Sequence, residues 1–353
     1  MSRIAGKTTT TLGTLIVLAL LAVKPTLAMG QIFVVNDATG TIGEYNTSGV
    51  AINASLVSGL SYPTALATDG KGHLFVENSG SVNTGEYTTS GVSVNASLPF
   101  FGKGIACDAY GHIFIVAADG IVGEYTTSGS TINASLITGL NTSDGGVALD
   151  GKGDIFVQHE PYPQNTLTIG EWTTNGVAIN SQLISGDGNS GIACDGNGHL
   201  FILNGNLNGV AEYTTSGSTV NASLITGLTD AFGLALDGDG HIFVAYSVGA
   251  AGYVGEYTTA GAAVNATLIS GLHSPDGLVV IPETIASPSV KPGSPRSLTV
   301  SWPAPGAYIL QTNRNLSASG WNDYSGAVGT ANGTNTVTIT PSGTSLYFRL
   351  RYW

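Results

Sequence analysis

A 19-residue sequence occurs twice in the chain with almost no change. Residues 122–140 are VGEYTTSGSTINASLITGL and residues 210–228 are VAEYTTSGSTVNASLITGL, which differ at two positions. The triplet Gly/Ala-Glu-Tyr/Trp occurs six times at spacings of 38 to 47 residues, starting at Gly43, Gly85, Gly123, Gly170, Ala211 and Gly255. Internal similarity with a period of about 40 residues is typical of repeat architectures, in which each unit buries its apolar face against its neighbours.

Each repeat predicts four short strands. In the second repeat, residues 65–68 and 73–76 flank an Asp-Gly-Lys-Gly turn, and residues 83–88 and 93–98 follow. The first two strands are almost wholly apolar, which predicts burial on both faces, whereas alternation in the later two predicts one buried face. Four antiparallel strands in every ~40 residues are the pattern of a propeller blade. The predicted fold is therefore an all-β, six-bladed β-propeller spanning residues 29–282.

The two ends of the repeat array predict a closed ring. The first repeat begins at Gly30 without a first strand, and residues 274–282 supply a first strand after the sixth repeat. Ring closure would place residues 277–281 as the innermost strand of the first blade and would remove exposed sheet edges. A parallel β-helix is the alternative architecture, but it would leave both half repeats unexplained.

The repeated phrases resemble those of a known family of propellers. GLALDGDGHIFV at residues 233–244, its counterparts in other repeats and the GEYTTSG segments at residues 85–91 and 123–129 are similar to NHL repeats. The resemblance covers residues 30–282 and extends to propellers of the streptogramin-lyase and gluconolactonase type. It implies the blade and not an activity, because these families include binding modules and enzymes alike.

Histidines and cysteines that recur at one repeat position are predicted to be scaffold. His73, His112, His199 and His241 each follow the Asp-containing turn, but facing sheets lie about 10 Å apart. Ligands of one zinc ion must lie within about 4 Å of each other, so these histidines are not expected to share a metal. The two cysteines are two blades apart, beyond the Cα separation of about 7 Å that a disulfide allows. Both are predicted to be buried free thiols; they are Cys107 and Cys194.

The asparagine of the fourth strand also recurs, in triplets that match N-glycosylation sequons. We interpret these triplets as one duplicated strand and as scaffold; they begin at Asn53, Asn95, Asn133, Asn221 and Asn265.

Function is expected where the repeats differ, at the connections that meet around the ring axis. The residue before each inner-strand Gly or Ala varies, and five of these residues are ligand-binding candidates: Thr64, Lys103, Ser190, Phe232 and Asp276. The exits of the second strands add Asn36 and Tyr246 as ligand-binding candidates and Glu77 and His159 as catalytic candidates. His159 lies in the longest such loop, residues 158–168. The alternative for Glu77 and His159 is an ordinary solvated loop position, since polar loop residues are common.

Three functions fit these residues. The first, and the main expectation, is an exported binding or scaffold propeller without a cofactor that holds a small molecule, a polysaccharide or a protein. The second is a metal-dependent lyase or lactonase, with a divalent cation held by Glu77, Asp276 and Asn36 and with His159 as general base. The catalytic His and Glu of the similar enzymes have no match at the exits of the late blades. The third is a structural or adhesive surface protein.

The first 28 residues have the layout of a secretory signal peptide. Arg3 and Lys7 precede an apolar run of 12 residues, and Thr26-Leu27-Ala28 offers a cleavage site. The run is shorter than the ~20 residues that span a bilayer. Cleavage would leave 8 Lys+Arg against 23 Asp+Glu and would shift the net charge from −12 to −15. A protein this acidic is not expected to bind nucleic acid. The signal peptide predicts a secreted, periplasmic or cell-surface protein, which we expect to be a monomer.

The C-terminal part predicts a second, smaller module. Residues 283–297 contain three prolines and predict a linker, and residues 298–353 predict a small β-sandwich. Its segments resemble fibronectin-type or immunoglobulin-like modules of exported bacterial proteins. Trp302, Trp321 and Phe348 are expected in its core. Arg349 and Arg351 are expected to face solvent, which indicates a role in surface association.

Overall fold

The structure is a computed structural model that describes residues 30–141, 145–160, 167–186, 191–205, 208–282, 289–292, 297–303, 308–313, 321–331, 334–340 and 346–352. Within these ranges every regular element is a β-strand except a 3-10 turn at Asp37–Thr39. The predicted signal peptide and Ser190 lie outside the described residues. In the part of the chain that the structure describes, no helix is long and apolar enough to cross a membrane.

Six four-stranded antiparallel sheets, one for each repeat, occupy the described residues between 31 and 281. Sheet 1 contains β1 (Gln31–Asn36), β2 (Thr41–Asn46), β3 (Ala51–Ser58) and a late strand, β24 (Pro275–Ile281). Sheet 2 contains β4 (Pro63–Thr68), β5 (His73–Asn78), β6 (Asn83–Thr88) and β7 (Ser93–Leu98). Sheet 3 contains β8 (Gly104–Cys107), β9 (His112–Val116), β10 (Val122–Thr126) and β11 (Thr131–Ile137).

The remaining three sheets of the array follow the same order. Sheet 4 contains β12 (Val147–Leu149), β13 (Asp154–His159), β14 (Thr168–Thr173) and β15 (Ala178–Ser185). Sheet 5 contains β16 (Ile192–Cys194), β17 (His199–Asn204), β18 (Gly209–Thr214) and β19 (Thr219–Thr226). Sheet 6 contains β20 (Ala231–Leu236), β21 (His241–Val248), β22 (Ala251–Thr258) and β23 (Ala263–Leu272).

Sheet 1 combines the two ends of the repeat array. β24 pairs antiparallel with β1, so that Gln31 lies opposite Ile281 and Val34 lies opposite Leu278. β24 also contacts the inner strands of two other sheets, β4 of sheet 2 and β20 of sheet 6. The predicted strand at residues 277–281 therefore pairs with the opening repeat, although it begins earlier, at Pro275.

Burial separates the outer strands from the rest of each sheet. The third strands β2 and β6 each contain at least four consecutive buried residues, whereas the first five residues of every fourth strand are exposed. The predicted alternation is therefore wrong for the fourth strands and for β2 and β6, whereas β14, β18 and β22 end in alternating buried and half-buried residues. Neighbouring sheets cover both faces as far as the third strand and leave the fourth strand outside. One phenylalanine per sheet is at most 1% exposed at the same position of the second strand: Phe33, Phe75, Phe114, Phe156, Phe201 and Phe243.

The asparagine of each fourth strand caps a β-bulge. The pairing of β10 with β11 shifts register on both sides of the Glu124–Asn133 pair. Asn133 Oδ1 accepts a hydrogen bond of 3.1 Å from the backbone N–H of Ser135, and the other five sheets have the same contact. In sheet 4 the triplet is Asn-Ser-Gln, which is not a sequon, and Asn180 still accepts from Gln182. The bulge therefore requires the asparagine in every repeat, which supports the interpretation as scaffold.

We expect Asn133→Ala to lower the free energy of unfolding by about 1 kcal/mol, because the bulge N–H loses its side-chain acceptor. Urea denaturation at pH 7 measures the change. Ser135→Ala removes the sequon but keeps the acceptor, so it is the matched control and should cost under about 0.5 kcal/mol. Equal losses in the two variants would contradict the capping role.

Two further sheets follow the repeats. One contains β25 (Ser289–Pro292), β26 (Leu298–Pro303), β29 (Gly329–Ala331) and β30 (Thr334–Ile339), and the other contains β27 (Tyr308–Asn313), β28 (Asn322–Asp323) and β31 (Tyr347–Tyr352). β25 falls within the predicted linker but pairs with β26, so the strands begin earlier than the predicted boundary. Val300, Trp302, Leu310 and Val337 form a buried cluster drawn from both sheets, and Phe348 packs against it.

Candidate functional site

The inner strands of the sheets surround a cavity of about 350 Å³. Four of the five residues predicted from the position before the inner strand line it: Thr64, Lys103, Phe232 and Asp276. Ser190, the fifth, lies outside the described residues, although the next residue, Gly191, is part of the lining. Residues that are far apart in sequence therefore converge because each occupies the same place in its own repeat.

Glycine permits the inner strands to approach one another closely at this cavity. A Cβ atom on Gly233 would overlap the carbonyl oxygen of Asp276, and one on Gly277 would lie 2.6 Å from the backbone nitrogen of Leu66. Real Cβ atoms do not reach such distances. The varied residue before each glycine thus lies at the edge of a narrow opening, and its side chain determines the chemistry of the lining.

Asp276 is the acidic group of the cavity. Burial, with a smaller contribution from the charge of Asp37, raises the pKa of Asp276 to about 7. Among the described residues, the Asp276 carboxyl has neither a hydrogen-bond partner nor an ion-pair partner. Burial also raises the pKa of Asp37, and its Oδ1 atom is buried without a hydrogen-bond partner. Asp276 in β24 therefore interacts with the charge of Asp37, which lies in the 3-10 turn after β1, and no described residue forms an ion pair with either carboxyl group.

The other polar and aromatic groups of the lining are more accessible. Lys103 is exposed, and its backbone N–H donates to the carbonyl of Val116 at 2.7 Å. Phe232 is 42% exposed, whereas the phenylalanines of the six second strands are buried in the core. Phe101, which is half-buried, also lines the cavity. The cavity thus offers a carboxyl group, an ammonium group and an apolar ring.

The structure places Glu77 inside sheet 2 and not in the cavity. Its side chain is fully buried. Glu77 Oε2 accepts a hydrogen bond of 3.0 Å from the backbone N–H of Gly102, and Oε1 lies 2.9 Å from Thr84 Oγ1. Both carboxyl oxygens are therefore occupied by protein groups, and Glu77 is available neither to a substrate nor to a metal ion.

His159 is also unsuited to the predicted role of general base. It is 4% exposed, its Nε2–H donates to the carbonyl of Ser181 on the outer strand at 2.8 Å, and its ring packs edge-on against Trp172. Burial lowers the pKa of His159. The imidazole thus points toward the outer strand of sheet 4 and away from the cavity, which contradicts the prediction.

Asn36 and Tyr246 are buried structural groups. Asn36 Oδ1 accepts from the backbone N–H of His273 at 3.2 Å. Tyr246 donates its hydroxyl hydrogen to the carbonyl of Ala266 at 2.9 Å and stacks on Tyr253. These predictions fail for one reason: the second strands extend through the predicted exits, so Asn36, Glu77, His159 and Tyr246 still lie within sheets.

The predicted set of metal ligands does not fit a divalent cation. Glu77 and Asn36 use their oxygens within the protein, which leaves Asp276 as the one member that lines the cavity. Among the described residues, no group of three or more His, Cys, Asp or Glu side chains converges on a metal position. A metal site in proteins of this kind requires several such oxygen or nitrogen ligands.

The recurring histidines pair with an aspartate in their own turn. Asp108 Oδ1 accepts from the backbone N–H groups of Tyr110 and His112, and Oδ2 lies 2.9 Å from His112 Nδ1. The same Asp–His contact occurs in sheets 2, 5 and 6 at 2.9, 3.0 and 2.7 Å. Sequence reasoning did not detect this pairing, although the constant spacing of four residues between Asp and His was a usable signal. The pairs close the turns between first and second strands.

Both cysteines are free, as predicted. Burial raises the pKa of the Cys194 thiol to about 12 and raises that of Cys107 well above its usual value. Thiols held in the protonated state are poor nucleophiles and poor metal ligands. Their place in the first strand matches that of Leu149 and Leu236, which identifies them as packing residues.

Comparison with known proteins identifies the fold class. No protein-family model and no curated protein matches the sequence. Among solved structures, the chain is similar to a nidogen/laminin complex, with 10% identity, a TM-score of 0.56 and coverage of 71% of this chain and 98% of that chain. It is similar to TolB from Acinetobacter baumannii, with 11% identity, a TM-score of 0.54 and coverage of 73% of this chain and 67% of that chain. A gluconolactonase from Xanthomonas campestris gives 12% identity, a TM-score of 0.47 and coverage of 68% of this chain and 83% of that chain. The structural neighbours are propeller proteins, so the repeated sheets form a propeller-type fold.

Proposed function

We propose that the six sheets close into one ring and that the cavity lies on its axis. The pairing of β24 with β1 supports this arrangement, as do the contacts of β24 with β4 and β20 on either side. The inner strands of the other sheets also contact one another in sequence order. In such a ring the ligand would meet side chains from several sheets at once, which is where propellers offer a concave surface.

We propose that the protein is an exported binding propeller whose ligand is a small polar molecule or the end of a larger polymer. The single observation that carries this proposal is the convergence of Thr64, Lys103, Phe232 and Asp276 on one cavity. These are positions at which the repeats differ, whereas the repeated residues serve turns, bulges and packing. The lining combines charged groups with an apolar ring, as ligand sites generally do.

A binding role fits the residues better than the lyase or lactonase alternative. That alternative needs a base and a cluster of metal ligands at the cavity, and Glu77, Asn36 and His159 are all engaged elsewhere in the protein. We further propose that residues 1–28 direct export, that the propeller occupies residues 29–282, and that the two C-terminal sheets form a β-sandwich module for association with a cell surface.

We expect Thr64→Trp to abolish binding in the cavity, because the indole would occupy much of its volume. The measurement is a ligand-observed NMR screen of the full chain with equal numbers of cationic, anionic and neutral fragments. Thr131→Trp, at an exposed position of the outer strand β11, is the matched control. Fragments that bind the unmodified protein and Thr131→Trp but not Thr64→Trp would support the proposal. An absence of binders, or binders that persist in Thr64→Trp, would contradict it.

A further inference from the structure

We propose that the ligand of this cavity carries an organic cation, a primary or quaternary ammonium group, held between the carboxylate of Asp276 and the ring of Phe232. This inference rests on the proposed binding function and specifies the chemical class of its ligand. It follows from the charges, the exposure and the adjacency of residues in sheets 1 and 6.

The first argument is the carboxyl group of Asp276, which lines the cavity without a partner. None of the described residues donates a hydrogen bond to it or forms an ion pair with it. Asp276 is half-buried. A carboxylate that is partly removed from water without a counter-charge is disfavoured, and a bound cation would compensate it. Asp37 strengthens the case for a bound cation, because its Oδ1 is buried without a hydrogen-bond partner and its negative charge raises the pKa of Asp276.

The second argument is the position of Phe232 on the strand that adjoins the strand of Asp276. Gly233 approaches Asp276 so closely that a Cβ on the glycine would overlap the Asp276 carbonyl oxygen, so residues 232 and 276 lie on adjoining strands. Phe232 is 42% exposed and lines the same cavity. The face of an aromatic ring attracts a cation within about 6 Å, and ammonium groups are recognised by such rings together with carboxylates.

The third argument is the charge of the surroundings. Residues 29–282 contain three lysines against 21 acidic residues. Of the lysines, Lys103 lines the cavity, but it is exposed and belongs to sheet 3, with sheet 2 between it and Asp276. Asp230 and His273 are exposed in the connections beside Phe232 and Asp276. The strands that pack against Asp276, β4 and β20, contribute no charged residue. An acidic field of this kind raises the local concentration of cations and repels anionic ligands.

The matched probes are choline and its uncharged analogue 3,3-dimethylbutan-1-ol, which has the same shape but a carbon in place of the nitrogen. Binding to the full chain is measured at pH 8 by NMR titration. We expect choline to bind at least about tenfold more tightly than the analogue. Asp276→Asn and Phe232→Ala should each weaken choline at least about fivefold, whereas Asp119→Asn, an exposed carboxylate outside the cavity lining, should change it less than twofold.

The pH dependence gives a second readout. Because burial raises the pKa of Asp276 to about 7, the carboxylate fraction grows as pH rises, and choline affinity should increase roughly tenfold between pH 6 and pH 8. In Asp276→Asn this increase should disappear. The Asn side chain is close in shape to Asp and removes an uncompensated charge, so the variant is expected to fold.

The outcomes separate this inference from the proposed function. Suppose that Thr64→Trp abolishes fragment binding, but that the uncharged analogue binds as well as choline or that Asp276→Asn keeps full affinity for choline. The proposal of a cationic ligand is then wrong, and the proposed binding function stands. If no fragment binding depends on Thr64, both are wrong. Choline binding that requires both Asp276 and Phe232 supports both.

Discussion

Replacing Glu77 by Gln is expected to stabilise the protein by about 3 to 4 kcal/mol at pH 8 and to change its stability little at pH 5. The reason is that Glu77 is a buried carboxyl group for which the structure provides no positive partner among the described residues. Burial raises its pKa to about 8, although the hydrogen bonds with Gly102 and Thr84 act in the opposite direction.

The hydrogen-bond geometry also suits a protonated Glu77. Thr84 Oγ1 lies 2.9 Å from Glu77 Oε1 and 2.9 Å from the carbonyl oxygen of Phe100. A hydroxyl group has one hydrogen, and the Phe100 carbonyl can only accept. With an ionised Glu77, the one Thr84 hydrogen is shared between Glu77 and Phe100. With a neutral Glu77, Thr84 can donate to Phe100 and accept the carboxyl hydrogen while Gly102 N–H donates to Oε2, so that each polar group has its own partner.

The sign of the pH dependence follows from this raised pKa. Between pH 4.5, the ordinary pKa of Glu, and pH 8 the folded state holds the Glu77 proton and the unfolded state releases it. The contribution of Glu77 to stability is therefore full below about pH 4.5 and is lost as pH rises toward 8. Glutamine donates and accepts in the same places without a titrating proton, and Gln158 occupies the equivalent position in sheet 4.

The measurement is the free energy of unfolding of the unmodified protein and of Glu77→Gln at several pH values. The difference between the two values at each pH tests the prediction. Asp119→Asn is the control for loss of one exposed negative charge. Glu77→Ala should destabilise the protein at pH 5 by about 2 to 4 kcal/mol, because Gly102 and Thr84 lose their partner. At pH 8 the removal of the buried charge should offset this loss. Parallel pH profiles of the unmodified protein and Glu77→Gln would contradict a neutral Glu77.

A charge at Val280 is expected to destabilise the protein by at least about 3 kcal/mol. Val280 lies in β24, is 4% exposed and packs with Ile32, Val34 and Phe243. Val280→Asp would place an unpaired carboxylate among these apolar side chains. Because Phe243 belongs to sheet 6 and Ile32 to sheet 1, the substitution acts where the end of the repeat array joins its beginning.

The control for this substitution is Val264→Asp, at a position of the outer strand β23 that is 52% exposed. It introduces the same charge and should change the free energy of unfolding by under about 0.5 kcal/mol. Thermal and urea unfolding measure both variants. A cost for Val280→Asp no larger than that for Val264→Asp would show that β24 does not pack in the core and would remove the basis for a closed ring.

Repeat periodicity predicted the strands well because the local sequence repeats the same chemistry. The third and fourth strands of sheet 2 have the predicted bounds, and the pairing of β24 with β1 follows from the half repeats at the ends of the array. Alternation was a poor guide to burial, because burial depends on how far the neighbouring sheets extend and not on the polarity of one strand.

The candidate site was predicted in part, and the division has a physical cause. Thr64, Lys103, Phe232 and Asp276 were found by comparing one position across repeats, and equivalent positions converge when equivalent sheets do. Glu77, His159, Asn36 and Tyr246 were chosen as loop residues because they are polar. The sheets continue through them, and their hydrogen-bond partners come from neighbouring strands and connections that sequence spacing does not reveal.

The sequence by itself determined the number of repeats, the order of strands in each and the residues that distinguish one repeat from another, because all three are local properties of the chain. Only the tertiary structure decided which polar side chains line the cavity and which form hydrogen bonds inside the protein. That outcome depends on the distance between neighbouring sheets, and Glu77 shows it most clearly: its environment, and not its residue type, keeps it neutral.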